Sequence, residues 1–149
     1  MKKWLCMFVC CLSVYVQAQV WTLKEKEPAA PGTWWCFRNT VTLEELPRSL
    51  ELRLAADTKY WLWVNGELQV SEGGLKRGPN PSDTYCDVIT SLPALRAGEN
   101  TVALLVWYFG KDGFSHRNSP TAGISFSLSC DGKEVEPDAK WRVKKHPAY

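Results

Sequence analysis

The chain has 149 residues, enough for one domain with a sizeable core. Its formal net charge of +2 comes entirely from Lys2 and Lys3, because the rest of the chain carries 16 basic and 16 acidic residues. A neutral chain without a basic run lacks the electrostatic pattern expected for binding nucleic acid or an anionic membrane surface. Those two classes of partner are therefore not expected.

The first 18 residues are typical of a secretory signal peptide. An apolar run from 4 to 15 follows the two lysines, and small residues within 16–18 predict cleavage before Gln19. The run is shorter than the roughly 20 residues that span a bilayer. We therefore predict a secreted or periplasmic protein. Lipid attachment at Cys10 or Cys11 is the minority alternative, since bulky residues precede both.

Three cysteines remain after cleavage, namely Cys36, Cys86 and Cys130. Their spacing matches no metal motif, and at most one disulfide could form among them. We favour buried free thiols over a disulfide. His116 and His146 are the only histidines, so a zinc site is poorly supported. We expect no cofactor, although loop oxygens leave calcium open.

Residues 19–33 contain prolines and mixed charges and predict an extended lead-in. After it, period-two alternation and β-branched or aromatic residues predict strands at 34–43, 49–55, 60–64, 67–70, 84–89, 101–109, 122–130 and 141–143. The run at 101–109 is apolar almost throughout, which predicts a central strand buried on both sides.

The sharpest local signal is the Asn65-Gly66 pair between two apolar segments, which predicts a tight β-hairpin. Across this hairpin, four aliphatic side chains are expected to share one face: Leu62, Val64, Leu68 and Val70. Trp61 and Trp63 occupy the other face of their strand, so we predict a central strand between two layers. The alternative is an exposed aromatic platform that binds a sugar or docks another domain.

The Asp131-Gly132 pair, directly after the strand at 122–130, predicts a further tight turn. Seven to nine strands joined by turns, without helical periodicity, predict an all-β antiparallel sandwich of the jelly-roll kind over 34–149. The chain ends directly after a predicted strand. We take this as favouring a piece of a longer protein over a naturally short one.

Two polar loops, at 71–82 and 110–120, follow apolar strands and could lie together at one rim of the sandwich. Sugar recognition combines aromatic surface with fixed donors and acceptors. Aromatic and polar side chains in and beside the loops are therefore candidate carbohydrate ligands: Arg77, Asn80, Asp83, Tyr85, Trp107, Tyr108, Asp112 and His116, with Phe114 as further aromatic surface. The alternative is that these polar groups hydrogen-bond their own turns, with Arg77 and Asp83 forming an ion pair.

A catalytic site is poorly supported. Glycoside hydrolysis needs two opposed carboxyl groups, and the candidates match by residue type only: Glu72, Asp83, Asp87 and Asp112. Ser115 and His116 are adjacent, so on a strand they would point to opposite faces. We assign no catalytic residue and expect the chain by itself not to be an enzyme.

Three segments resemble the galactose-binding-like sandwich that precedes the catalytic barrel of bacterial α-L-rhamnosidases. They are Leu54–Gly66 (LAADTKYWLWVNG), Tyr85–Asp87 (YCD) and Leu95–Trp107 (LRAGENTVALLVW). The polar loops Glu72–Pro79 (EGGLKRGP) and Trp107–His116 (WYFGKDGFSH) narrow the resemblance to the rhamnosidase group. It covers residues 34–149.

This resemblance implies the fold, an exported setting in which plant-type or rhamnose-containing glycans are degraded, and contacts to a sugar or to a catalytic barrel. It carries over no catalytic residue, because the barrel that holds the catalytic carboxylates has no counterpart in this sequence. We predict a non-catalytic accessory sandwich, present as a fragment or remnant, with Trp61 and Trp63 as candidate docking residues. A free-standing carbohydrate-binding protein is the alternative, and a small glycosidase is the third.

An apolar outer patch centred on Trp61 and Trp63 would favour docking. An open aromatic groove beside Asp83 and Asp112 would favour sugar binding.

Overall fold

A computed structural model describes residues 29–75, 86–114, 116, 118 and 122–147. These residues contain nine β-strands, within the predicted seven to nine, and no helix. The strands are β1 (Thr33–Leu43), β2 (Leu50–Asp57), β3 (Lys59–Val64), β4 (Glu67–Gly74), β5 (Asp87–Ile89), β6 (Gly98–Tyr108), β7 (Gly123–Cys130), β8 (Lys133–Val135) and β9 (Arg142–Lys145). The predicted all-β class is confirmed.

The strands form two antiparallel sheets, of five strands in the order β4-β3-β6-β1-β9 and four strands in the order β5-β2-β7-β8. Alternate residues of β1, β3 and β6 are buried between the sheets, as expected of a sandwich. The core is therefore built from alternating positions of both sheets, including Phe37, Leu52, Leu54, Tyr60, Leu62, Leu104 and Ile124. The predicted sandwich is confirmed.

The expectation that β6 is buried on both sides is wrong. Val102, Leu104, Val106 and Tyr108 are buried, whereas Ala103, Leu105 and Trp107 between them are only partly buried. β6 occupies the centre of its sheet, between β3 and β1, but its second face points away from the other sheet. An apolar run of this length shows that both faces of the strand are hydrophobic. It does not show whether another layer of the protein covers each face.

The predicted Asn65-Gly66 hairpin is confirmed. Both residues adopt positive φ values (52° and 85°), as its tight turn requires. The predicted common face of four aliphatic side chains is correct except at Leu68. A register shift in the β3–β4 ladder places Leu68 opposite Trp63 instead, where it is 50% exposed.

Some element limits also differ from the prediction. β4 continues to Gly74, through residues expected to begin a loop, and β8 was not predicted. Residues 84–85 of the predicted fifth strand lie outside the described residues, as do 19–28 of the lead-in. Cys36, Cys86 and Cys130 are free thiols, of which Cys130 is buried and the other two are partly buried.

The Asp131-Gly132 turn between β7 and β8 also matches its prediction, with φ values of 50° and 77°. The Asp131 carboxylate accepts hydrogen bonds from the backbone nitrogens of Arg48 and Ser49 and from the Ser49 hydroxyl (2.9–3.2 Å). The backbone bonds from Ser49 and Arg48 hold the Asp131 pKa below its ordinary value of 3.8. This turn thus ties the end of β7 to the segment that enters β2.

We expect the contribution of Asp131 to stability to depend on pH. Because its pKa is lowered by folding, the contribution is complete above the unfolded-state pKa and disappears as the pH falls through the folded-state pKa. The stability difference between the wild type and Asp131→Asn should therefore be constant near neutrality and shrink below about pH 4. Thermal unfolding between pH 2 and pH 7 measures it, and a difference that grows on acidification would contradict this account.

In the part of the chain that the structure describes, no helix is long and apolar enough to cross a membrane.

Candidate binding surfaces

The strand register brings together the residues that lead into the two polar loops, but 76–82, 115, 117 and 119–120 lie outside the described residues, so the meeting of the loops stays a prediction. Gly74, at the end of β4, lies opposite Lys59, and Lys59 lies opposite Trp107 near the end of β6. The strand ends that lead into both loops are therefore neighbours across β3. Of the candidate carbohydrate ligands, Arg77, Asn80, Asp83 and Tyr85 lie outside the described residues.

The described part of the second loop is held together by its own polar groups. His116 is buried, its Nε2 atom donates to the Lys111 carbonyl oxygen (3.0 Å), and its ring packs edge-on against Phe109. Asp112 accepts a hydrogen bond from the backbone nitrogen of Asn118 (2.9 Å). These contacts match the alternative in which the polar groups stabilise their own turn.

The remaining candidates of this loop point in different directions. Tyr108 is buried in the core, and its hydroxyl oxygen accepts a hydrogen bond from Asn118 Nδ2 (3.3 Å). Trp107 precedes it on the same strand and points to the opposite face. Phe114 is fully exposed at the loop tip. The structure therefore does not gather Trp107, Tyr108, Asp112 and His116 on one surface, and sugar binding by these residues stays a prediction.

The outer face of the five-stranded sheet carries a row of four aromatic rings, which we call the aromatic row: Trp61, Trp34, Trp107 and Phe109. Trp34 lies nearly parallel to Trp107 (centroids 5.0 Å apart, 7° between planes) and is tilted against Trp61 (5.3 Å, 32°). Phe109 meets Trp107 edge-on at 4.6 Å. All four rings are partly buried. Three separate strands thus contribute one continuous aromatic surface.

The prediction that Trp61 and Trp63 lie in a strand between two layers is wrong. Tyr60, Leu62 and Val64 fill the core, but Trp61 and Trp63 point to the outer side and remain partly exposed. Leu105 opposes Trp61 in the ladder, so it extends the apolar surface on that side. The two tryptophans therefore lie in an apolar patch on the outside of the sandwich, which corresponds to the alternative prediction of an exposed aromatic platform.

Mutual stacking limits what the aromatic row can bind. A sugar packs its C–H face on an open aromatic face. Trp34 stacks on Trp107 and is also in contact with the tilted ring of Trp61, so much of its ring surface is taken up by other rings. The row is therefore better suited to burial against another apolar surface than to stacking a single sugar ring.

Trp61 and Trp63 were predicted from the sequence as candidate docking residues, whereas Trp34 and Phe109 were not predicted to be part of this surface. Trp34 alternates with the buried Trp35 along β1, which was a signal that it points outward. Its contact with Trp61 depends on the order β3-β6-β1, and strand order cannot be read from residue periodicity.

Three of the carboxylates considered for catalysis have structural partners, Asp112 within its own loop and the other two between strands. Asp87 accepts hydrogen bonds from the Tyr60 hydroxyl (2.7 Å) and the Gly74 nitrogen (2.8 Å), which joins β5 to the β3–β4 hairpin. Glu72 pairs with Lys59 at 3.1 Å. Asp83 lies outside the described residues. Within the described ranges no three metal-ligating side chains cluster.

A shallow pocket of about 250 Å³ lies at the other end of the sandwich, near the segments that follow β1 and β5. Neither a carboxylate nor a histidine is among its lining residues, which are Leu46, Pro47, Arg48, Ser49, Leu50, Thr90, Ser91, Leu92, Pro93 and Leu95. It offers no pair of acids for glycoside hydrolysis.

The motif segments that carry the family resemblance also have structural roles. Asn65 Nδ2 donates to Asn100 Oδ1 (2.8 Å) and to the Ala94 carbonyl oxygen (2.7 Å), and Asn65 Oδ1 accepts from the Thr101 nitrogen (2.9 Å). The segments Leu54–Gly66 and Leu95–Trp107 are thus joined directly. Their motif residues hold the fold together.

No protein-family model matches the sequence, and no curated protein matches it. Among solved structures, the chain is similar to a GH78 family rhamnosidase of Bacillus sp. GL1, with 29% identity and a TM-score of 0.72 over 84% of this chain and 13% of that one. It is also similar to the α-L-rhamnosidase of Streptomyces avermitilis complexed with L-rhamnose, with 26% identity and a TM-score of 0.58 over 85% of this chain and 12% of that one.

A lectin of Pleurotus ostreatus shares the fold, with 24% identity and a TM-score of 0.53 over 85% of this chain and 34% of that one. The two rhamnosidase structures confirm the resemblance to α-L-rhamnosidases that the sequence motifs indicated. The chain spans only a small part of their length.

Proposed function

We propose that this chain, which matches a domain-sized part of α-L-rhamnosidases, is a non-catalytic accessory β-sandwich of a glycoside hydrolase of that type. Its role is to dock a further body of protein, such as a catalytic domain, through the outer face of the five-stranded sheet. Export belongs to the same proposal, because residues 1–18 have the layout of a signal peptide.

The observation that carries the docking role is the aromatic row on that outer face. Trp34 stacks on Trp107 and contacts the tilted ring of Trp61, with Leu105 and Trp63 beside them. A contiguous apolar surface on a sheet face is a feature of protein interaction sites. Aromatic side chains supply much of the binding energy at such sites, because each buries a large area.

The non-catalytic part of the proposal is supported by the partners of the carboxylates. Asp87 and Glu72 are engaged with Tyr60, Gly74 and Lys59, in contacts that join strands. We expect the purified chain not to hydrolyse an aryl α-L-rhamnoside. Turnover that is lost in Asp112→Asn would make the chain a small glycosidase and overturn this part of the proposal.

A domain exchange tests docking. The segment of the Bacillus enzyme that matches this chain is replaced by residues 19–149, and unfolding of the chimera is followed by calorimetry. We expect the double variant Trp34→Ala, Trp61→Ala to lose Tm in both proteins. The loss should be several degrees larger in the chimera than in the isolated chain, because only the chimera also loses the interface. Phe114→Ala is the matched control, since Phe114 lies at a loop tip.

Equal losses of Tm in the chimera and in the isolated chain would contradict docking through this face. The exposed Phe114 ring favours a second candidate, a free-standing carbohydrate-binding protein that contacts a glycan with its loops. In that case the isolated chain would bind a rhamnose-containing glycan, and Phe114→Ala would abolish binding while the tryptophan variants retained it.

A further inference from the structure

The outer face of the five-stranded sheet carries three basic side chains beside the aromatic row. Arg38 on β1 lies directly opposite Arg142 on β9, and Lys144 lies opposite Cys36. Opposed residues of an antiparallel pair project to the same side, so all three cations share the side of Trp34. All three are exposed. We call Arg38, Arg142 and Lys144 the basic patch.

No member of the basic patch forms an ion pair with a described residue. The ion pairs among the described residues are Arg53–Glu51 (3.3 Å) and Lys59–Glu72 (3.1 Å), and neither includes a member of the patch. Like charges directly opposite each other destabilise a strand pair. The Arg38–Arg142 pairing therefore has an electrostatic cost that an anionic ligand would remove.

The pKa of the Cys36 thiol reflects the same arrangement. Burial raises the pKa of the Cys36 thiol, and the positive charge of Lys144 acts in the opposite direction. The Lys144 ammonium is thus close enough to Cys36 to influence its ionisation. Cys36 follows Trp34 by two residues and lies opposite Leu105, so the basic patch adjoins the apolar surface.

We propose that the basic patch binds an acidic polysaccharide, a polymer whose sugar rings carry carboxylates. A linear polyanion can meet several cations at once, whereas a neutral glycan would leave them unpaired. The choice of a glycan as the polyanion rests on the proposed function, which associates this chain with glycan degradation.

Each cation is exposed, so its contact with one carboxylate is weak and screened by salt. Useful affinity must come from several contacts along one polymer, which predicts binding to long chains in preference to the monomer. It also predicts binding that falls steeply as salt is added.

The test is affinity electrophoresis of the full chain through gels containing polygalacturonate, with hydroxyethylcellulose as the neutral polymer. We expect retardation by polygalacturonate only. The triple variant Arg38→Gln, Arg142→Gln, Lys144→Gln should weaken binding at least tenfold. The matched control is Arg96→Gln, Lys111→Gln, Lys133→Gln, which removes the same charge from exposed positions elsewhere and should leave retardation unchanged.

The single reversal Lys144→Glu keeps the proposal testable if the triple variant unfolds, and thermal unfolding of each variant checks this. No retardation of the wild type, or equal loss in both triple variants, would overturn the proposal. A different result is that the wild type does not bind polygalacturonate while the triple variant of the basic patch weakens docking in the chimera. The basic patch would then contact an acidic protein surface, and the proposal fails. The docking proposal would survive that result, because its test uses the tryptophan variants.

Discussion

Replacing Asn100 by alanine is expected to lower the free energy of unfolding by about 3 kcal/mol. Asn100 is 0% exposed, and its side chain makes four hydrogen bonds. Its Oδ1 atom accepts from Asn65 Nδ2 and from the Arg96 nitrogen, while its Nδ2 atom donates to the carbonyl oxygens of Arg96 and Gly98. Alanine would leave several of these groups buried without a partner, which is the costly case.

Urea-induced unfolding measures the loss, with Thr101→Ala as the control on the neighbouring residue. Thr101 is partly exposed, and only its backbone joins the network, so its substitution should cost less than about 1 kcal/mol. A double-mutant cycle between Asn65→Ala and Asn100→Ala should give a coupling energy of about 1 kcal/mol. A loss for Asn100→Ala no larger than that of Thr101→Ala would refute the proposed role of the network.

Gly73→Ala is expected to destabilise the sandwich by about 3 kcal/mol through a steric clash. A β-carbon at this position would overlap the Tyr60 ring and lie 2.6 Å from its hydroxyl oxygen. Tyr60 is 0% exposed, and its hydroxyl donates to Asp87, so the ring has no free space into which to move. The clash must therefore be relieved by shifting β3 away from β4 or by breaking the bond to Asp87.

Gly98→Ala is the matched control, because it separates backbone strain from overlap. Gly98 has a φ of 85°, and nothing lies within 4 Å of a β-carbon placed there. Its substitution should cost about 1 kcal/mol, the strain of a left-handed alanine. The comparison is made by thermal or urea unfolding of both variants. Equal costs at the two glycines would show that the packing of Gly73 against Tyr60 is not the limiting contact.

Several features of the fold were predictable from local patterns. Alternation located most of the strands, and the Asn65-Gly66 and Asp131-Gly132 pairs predicted two turns correctly. Both turns require positive φ values, which these residue types tolerate. The extension of β4 to Gly74 could not be predicted in this way, because its glycines are typical of loops. Its last residue is instead held by the contact between the Gly74 nitrogen and Asp87.

The candidate surfaces were predictable only in part. Trp61 and Trp63 were identified as residues that could dock a partner, but the favoured prediction buried them between two layers. A strand between two layers and a strand with an exposed aromatic face have the same apolar sequence. Distinguishing them requires knowing what lies over each face of the sheet. The basic patch could not be predicted at all. Arg38 lies near the start of the described chain and Arg142 near its end, so no run of basic residues marks it.

The sequence by itself determined the all-β class, the tight hairpins and the likeness to the rhamnosidase sandwich, since these depend on residues that are close together along the chain. Only the tertiary structure decided that Trp34 contacts both Trp61 and Trp107, that Arg38 faces Arg142, and that His116 is buried in its own loop. Those contacts depend on strand order and register. Both arise from packing two sheets around one core, a balance of many long-range contacts that no local pattern records.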